Sequence, residues 1–173
     1  GTPKGTDTTA GIGCGLNYSG FNNSPKVNAI SQYTWSCSDT RRQLSGNGIP
    51  DHAVTSGNFA TPISTQRISV SMPLAPVLGS TQPTAIIGYA NNSVKFDPAT
   101  AGSCSANATS TANNGGCVMV GGSGPWMLEA IGGAFVFGTD ESNAHVQPNG
   151  QYHYHGMPEG ILNKMNKGQA MSL

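Results

Sequence analysis

The run Gly150-Gln151-Tyr152-His153-Tyr154-His155-Gly156 constrains this chain more than any other segment. An extended backbone sends alternate side chains to opposite faces, so a strand here presents His153 and His155 on one face and Tyr152 and Tyr154 on the other. Just upstream lies Asp140-Glu141-Ser142-Asn143-Ala144-His145-Val146-Gln147-Pro148-Asn149, which puts three of the four histidines within eleven consecutive residues. The Gln-Pro-Asn-Gly stretch reads as a turn that returns His145 alongside the pair. Neutral imidazole is the commonest protein ligand for zinc, copper and nickel, and two imidazoles on one face make half a metal site. A lone strand histidine is ordinarily a surface or hydrogen-bonded residue. An alternating pair with a third nearby and acids beside it shifts the reading toward a ligand set. The fourth histidine is His52, in Asn47-Gly48-Ile49-Pro50-Asp51-His52.

Composition narrows the setting. Charged residues are 9% of the chain, against about a quarter in ordinary globular domains, while Gly alone accounts for 24 of 173 residues. The formal net charge is zero, so neither nucleic acid nor an anionic membrane finds the basic patch it needs. Hydrophobic residues at 36% argue against a disordered chain. Low charge with abundant turn-forming polar residues suits a secreted, periplasmic or cell-surface β-rich protein. Gly1 opens the chain without an initiator methionine or an apolar leader, as expected once a signal peptide has been removed. The longest apolar stretch, Trp126 to Phe137, is interrupted by Glu129, Gly132 and Gly133, so membrane insertion is not expected.

Four cysteines permit three pairings. Cys104 and Cys117 bracket a small polar loop that has nothing to pack, and a bridge closing a loop of that length stabilises by about 3 kcal/mol in the chain-entropy model. Sequential pairing, Cys14 to Cys37 and Cys104 to Cys117, is therefore expected. Thiolate metal ligation would need Cys-x-x-Cys or similar spacing, which is absent, and disulfides imply an oxidising compartment.

The secondary-structure pattern is mostly short strands. Arg67 to Met72 alternates polar and apolar, with Pro73 expected to end it. Thr84 to Ala90 and Ser93 to Phe96 flank Asn91-Asn92, a tight hairpin turn. Cys117 to Val120 and Ala134 to Phe137 are apolar runs readable as buried strands. One helix is expected, with Pro158 in its first turn, Glu159 at its positive end, Ile161, Leu162 and Met165 on one face, and a stop at Gly168. The fold class is mainly β: a single disulfide-containing β-rich domain, sandwich or irregular barrel-like, with one short helix near the C-terminus. Residues 1–15 read as an N-terminal arm or linker and residues 16–173 as the domain.

Four segments together carry a resemblance: Ser45 to His52, Phe96-Asp97-Pro98, Asp140 to Pro148, and Gln151 to Gly156. In their order and spacing they resemble the YHYH-domain family of secreted bacterial proteins, over residues from about 30 to the end. The resemblance groups His52 with His145, His153 and His155 as positions of one pattern, and so implies a four-histidine site. It also implies a further segment of the type Ile-Gly-x-Ala-x-Asp-Gly-Phe-Pro-Ile-Tyr beyond Leu173. The chain is therefore expected to lack its C-terminal part, with residues 169–173 entering the sheet or core. Its partner would be its own C-terminal fragment or a like subunit.

The functional reading is a domain that binds a transition-metal ion through His52, His145, His153 and His155, with Asp51, Asp140, Tyr152 and Tyr154 expected to orient the imidazoles from outside. Met157 follows the motif closely, and a thioether among imidazoles ranks copper slightly above zinc. Met72, Met119 and Met127 read as core fillers. Two alternatives stand. One is a metal-dependent hydrolase with Asp51, Asp140 or Glu141 as base, although enzyme activity is the less favoured reading. The other is an extracellular structural or filament-forming subunit whose arm adds a strand to a neighbour. A Ser-based hydrolase is disfavoured, because Gly-x-Ser-x-Gly is absent and Gly121-Gly122-Ser123-Gly124 reads as a turn.

Overall fold

The computed structural model of the chain describes residues 14–80, 84–110, 113–132 and 135–166, with side chains as far as Lys164. Four antiparallel strands make the first sheet in sequential order: β1 (Asn17–Asn22), β2 (Ala29–Cys37), β3 (Arg41–Gly46) and β4 (Ile68–Pro73). In β2 the alternation of the sequence is the alternation of burial. Ser31, Tyr33 and Trp35 point inward and Ile30, Gln32, Thr34 and Ser36 outward. Leu44 sits opposite both Trp35 and Val70 in the register, so the inner face closes around Tyr33, Trp35, Leu44 and Ile68. Only β4 of these strands was expected. It retains Pro73, which an edge strand tolerates because one of its sides makes no ladder bonds.

The second sheet has the order β10-β11-β6-β5, built from β5 (Gly88–Tyr89), β6 (Lys95–Phe96), β10 (Ala144–Val146) and β11 (Tyr152–Tyr154). The β6–β11 pair is parallel and the others antiparallel. The expected hairpin turn is present, with the Ala90 amide donating to Val94 and the Ser93 amide to Ala90. Its flanking strands are shorter than expected. A third, three-stranded sheet orders β8 (Cys117–Val118), β7 (Ser103–Cys104) and β9 (Trp126–Met127). The described strands form three separate sheets and close no barrel. Phe135 to Phe137 form no strand, and Ala134 lies outside the described residues. Here the Gly138 carbonyl accepts from the Asn58 amide and the Phe137 carbonyl faces a histidine ring, which takes this backbone away from any sheet edge.

Both disulfides have the sequential pairing, Cys14–Cys37 and Cys104–Cys117. The first ties the arm to β2, where Gly15 donates to Trp35 and Trp35 to Leu16. The second bridges directly paired residues of β7 and β8. Residues 1–13 of the arm, like 169–173, lie outside the described residues. Helix α1 (Glu159–Asn166) follows Pro158, whose carbonyl accepts from Ile161 and Leu162. Gly168, its expected stop, also lies outside the described residues. No helix among those described is long and apolar enough to cross a membrane. The main core collects Tyr152 and Tyr154 of β11, Val94, Ile161 of α1, and Val27, Ile49, Val54 and Ile63 from the connecting segments.

Leu44 is fully buried at the centre of the first sheet. Leu44→Ala should lower unfolding stability by about 2–5 kcal/mol in urea titration. Replacing Cys104 and Cys117 together by Ser should remove about 3 kcal/mol.

Candidate metal centre

The centre is built on the two-faced strand β11. Tyr152 and Tyr154 are wholly buried on its core side, which obliges His153 and His155 to project from the other side. The turn over residues 147–150 returns β10 alongside, with the Gln147 amide donating to Gln151 and the Gly150 amide to Gln147. Gly150 has φ +81°, and a Cβ there would come within 1.9 Å of Ser64 Oγ, so the turn requires glycine. The resulting register sets His145 opposite His153, Ala144 opposite Tyr154 and Val146 opposite Tyr152. Directly opposed residues share a face. On the other flank Lys95 of β6 pairs with His153, so Lys95, His153 and His145 form a row across the sheet.

Three imidazoles converge. His155 Nε2 lies 3.0 Å from His153 Nε2 and 3.0 Å from His145 Nε2. All three ligand atoms fall within 4.8 Å of one another. The opposite ring nitrogens decide the protonation. His145 Nδ1 is 3.1 Å from the Phe137 carbonyl and His153 Nδ1 is 3.2 Å from the Gln151 carbonyl. A carbonyl only accepts, so each Nδ1 carries the proton and each Nε2 is left with a bare lone pair. His155 Nδ1 is buried without a well-formed hydrogen bond, the Pro98 carbonyl being the acceptor that approaches its ring.

The Nε2 lone pairs of His145 and His153 thus both aim at His155 Nε2, which satisfies them by carrying its proton there in the metal-free protein and offers a third lone pair when that proton moves to Nδ1. A further proton, which would charge the cluster, is disfavoured. Burial first, and then the neighbouring imidazoles, holds His153 down to about 3 and pushes His155 in the same direction. A transition-metal ion fits. Three nitrogens bound tetrahedrally at about 2.0–2.1 Å would stand roughly 3.3 Å apart, a few tenths of an ångström from the two spacings that His155 makes, and the whole set lies within 4.8 Å.

The histidines line a cavity of about 490 Å³ shared with Asp97, Met119, Phe137 and Gln147. Asp97 accepts from Lys95 at 2.8 Å and from Gln147 at 3.1 Å, and Lys95 also donates to Gln147 at 3.0 Å. Asp97 and Lys95 are both buried. The negative charge of Asp97 acts on both His153 and His155, raising their proton affinity against the effect of burial. Lys95 and Gln147 had no place in the expected site. Lys95 carried no sequence signal, because its position depends on a parallel pairing between strands far apart in the chain.

His52 does not join the cluster, and the four-histidine expectation is corrected to three. It lies on the tyrosine side of β11, where Tyr154 donates to its Nε2 at 2.7 Å and its Nδ1 donates to the Ala53 carbonyl at 2.9 Å. Helix α1 covers the ring, since a Cβ on Gly160 would come within 2.3 Å of His52 Nδ1. Tyr154 therefore orients His52 and no cluster imidazole, while Tyr152 donates to Asp140 at 2.5 Å. Asp140 also accepts from the Ser142 and Ala144 amides, shaping the turn that launches β10. Asp51 accepts from Tyr33, Asn92 and Lys164. Burial would raise its carboxyl, but those hydrogen bonds outweigh burial and hold it below the usual range.

Glu141 is likewise occupied, with both oxygens taken by Thr55 and Ser56. Burial opposes the shift, yet these bonds bring its carboxyl to about 2. None of the three acids considered as a base is within the histidine set; Asp51 and Glu141 are lowered and so weak bases, while burial raises Asp140, whose oxygens are taken by Tyr152 and the Ser142 and Ala144 amides. Backbone carbonyls orient two of the cluster rings, His145 and His153, instead. Met157 lines a neighbouring groove, whereas Met119 lines the histidine cavity.

The chain matches a protein-family model. The model of a family described as YHYH protein covers residues 69–173, more than half of the chain. That span contains all three clustered histidines, while Ser45 to His52 lies before it. No curated protein and no solved structure matches the chain.

In the metal-free protein His153 binds its proton only near pH 3, against 6.5 for an ordinary histidine. The unfolded chain therefore takes up that proton first, so stability is full above pH 6.5 and is lost progressively as pH falls toward 3. His153→Asn should flatten the fall in urea-midpoint stability between pH 6.5 and 5. An unchanged slope would mean that other groups carry it.

Proposed function

The chain belongs to the YHYH protein family, and from the imidazoles that its β10 and β11 bring together we propose that it binds one transition-metal ion through His145, His153 and His155. The observation that carries this reading is the tautomer argument. Two of the three rings place Nδ1 against a backbone carbonyl and turn their Nε2 lone pairs toward the Nε2 of the third, so the set offers three ligand nitrogens to one ion once the His155 proton sits on Nδ1. Copper stands ahead of zinc. Imidazole suits both ions, divalent copper binds the more tightly of the two, and the thioether of Met119 lines the same cavity. The domain works in an oxidising compartment outside the cytoplasm, a placement supported by its two disulfides and the absence of free cysteines among the described residues.

Elemental analysis of protein purified without an affinity tag or added metal tests the reading. One copper or zinc per chain is expected, and a preparation that neither contains nor takes up such an ion overturns it. His145→Ala, His153→Ala and His155→Ala should each lower affinity by more than about a hundredfold, since even residues that merely support metal ligands cost 10–100-fold when lost. His52→Gln should keep the stoichiometry while losing about 1–3 kcal/mol of folding stability, because it disturbs the buried Tyr154 hydroxyl. Native mass measurement separates a monomeric metal binder from an assembling subunit.

A further inference from the structure

Resting on the metal-binding reading, we propose that the ion is an acceptor for an outside ligand: a small anion with an apolar body, seated in the cavity that the three histidines line. Among the described residues, three histidines account for the nitrogen and carboxylate donors that gather at the site, and Met119 lines the cavity beside them as a weaker thioether donor. Three protein ligands are the number that leaves a tetrahedral ion a further position, as in sites that bind water or substrate, whereas closed structural sites use four. The same three histidines border a space of about 490 Å³, within the range of small-molecule pockets. An ion among their Nε2 atoms therefore faces open volume on that side.

The cavity wall sets the ligand class. Ala99, Ala101, Met119, Phe137, Val146 and Pro148 supply apolar surface. Among the described residues Asp97 is the one acid on the wall, and its charge is matched by the buried Lys95 ammonium at 2.8 Å. The three imidazoles are neutral when they ligate, so a divalent ion leaves the pocket about two positive charges in excess. An anionic donor cancels part of that excess inside a poorly solvated space, and an apolar body gains by covering the wall. Gln147 sits at the edge of the polar row, its amide donating to Asp97 at 3.1 Å, and marks the polar end of the pocket.

The test uses the full chain loaded with Co(II), whose visible spectrum reports coordination. Azide probes the open position, and benzoate against acetate probes the apolar body. Saturating azide should change the spectrum, and benzoate should bind at least tenfold more tightly than acetate. Ala101 is exposed at the rim, so Ala101→Trp can narrow the cavity without disturbing the core. It should weaken benzoate at least fivefold while azide binds as before. A chain that takes up Co(II) stoichiometrically but gives no spectral change with azide overturns this inference and leaves metal binding intact. Equal affinities for benzoate and acetate, or benzoate binding unaffected by Ala101→Trp, overturn the placement of the ligand in the cavity. Failure to take up Co(II) at all removes the metal reading and this inference with it.

Discussion

The burial of Tyr152 and Tyr154 governs the rest of the molecule. Both side chains are completely removed from solvent, which is favourable for their rings and costly for their hydroxyls unless each finds a partner. Each does. Tyr152 donates to Asp140, and Tyr154 donates to His52 while accepting from Asn92 at 3.0 Å. Those partners organise distant chain segments: Asp140 holds the turn into β10, Asn92 stands in the β5–β6 hairpin, and His52 lies beneath α1. The segments converge on one strand because the hydroxyls need them. Asn92 also donates to Asp51, and Asp51 binds Tyr33 of the first sheet and Lys164 of α1. Lys164 in turn lies 4.3 Å above the Tyr18 ring. One polar network thus joins the first sheet, the second sheet and the helix.

Committing the tyrosines to the core has a chemical consequence on the other face. A strand cannot bury residues 152 and 154 without lifting 153 and 155, and the hairpin register then adds His145. Burying three imidazoles is unfavourable through desolvation, and a His155 proton shared between its neighbours leaves its Nδ1 without a partner. The fold sustains it because backbone carbonyls hold two of the rings and the tyrosine network holds the strand. Strain of this kind, kept in place by surrounding structure, is what a preorganised ligand site requires.

The acids are distributed with the same economy. Asp51, Asp140 and Glu141 look like metal-site companions because they neighbour histidines in sequence, yet each carboxylate is taken by hydrogen bonds that shape the fold. Asp97, in contrast, lies near the cluster in space. Its pairing with the buried Lys95 keeps that wall of the cavity close to neutral, so a bound ion would supply the dominant local charge.

Much of this was legible in the amino-acid sequence by itself. Alternation in Tyr152-His153-Tyr154-His155 determined which side chains share a face, because the period of a strand is a local property of the backbone. The Gln-Pro-Asn-Gly turn, the start of the helix after Pro158 and the two sequential disulfides were also local matters, decided by chain stiffness and short loop closure. The strands β1 to β3 were missed although β2 alternates cleanly, since alternation among polar and small residues such as Ser31, Gln32 and Thr34 carries little hydrophobic contrast. What only the tertiary structure decided was pairing between remote segments. Parallel pairing of β6 with β11 brought Lys95 and Asp97 beside the histidines. Packing of α1 over His52, together with the need of the Tyr154 hydroxyl for an acceptor, assigned that histidine to the core side and reduced the expected four ligands to three. Such outcomes follow from which buried polar groups must satisfy one another across the folded chain, a condition that no single stretch of sequence expresses.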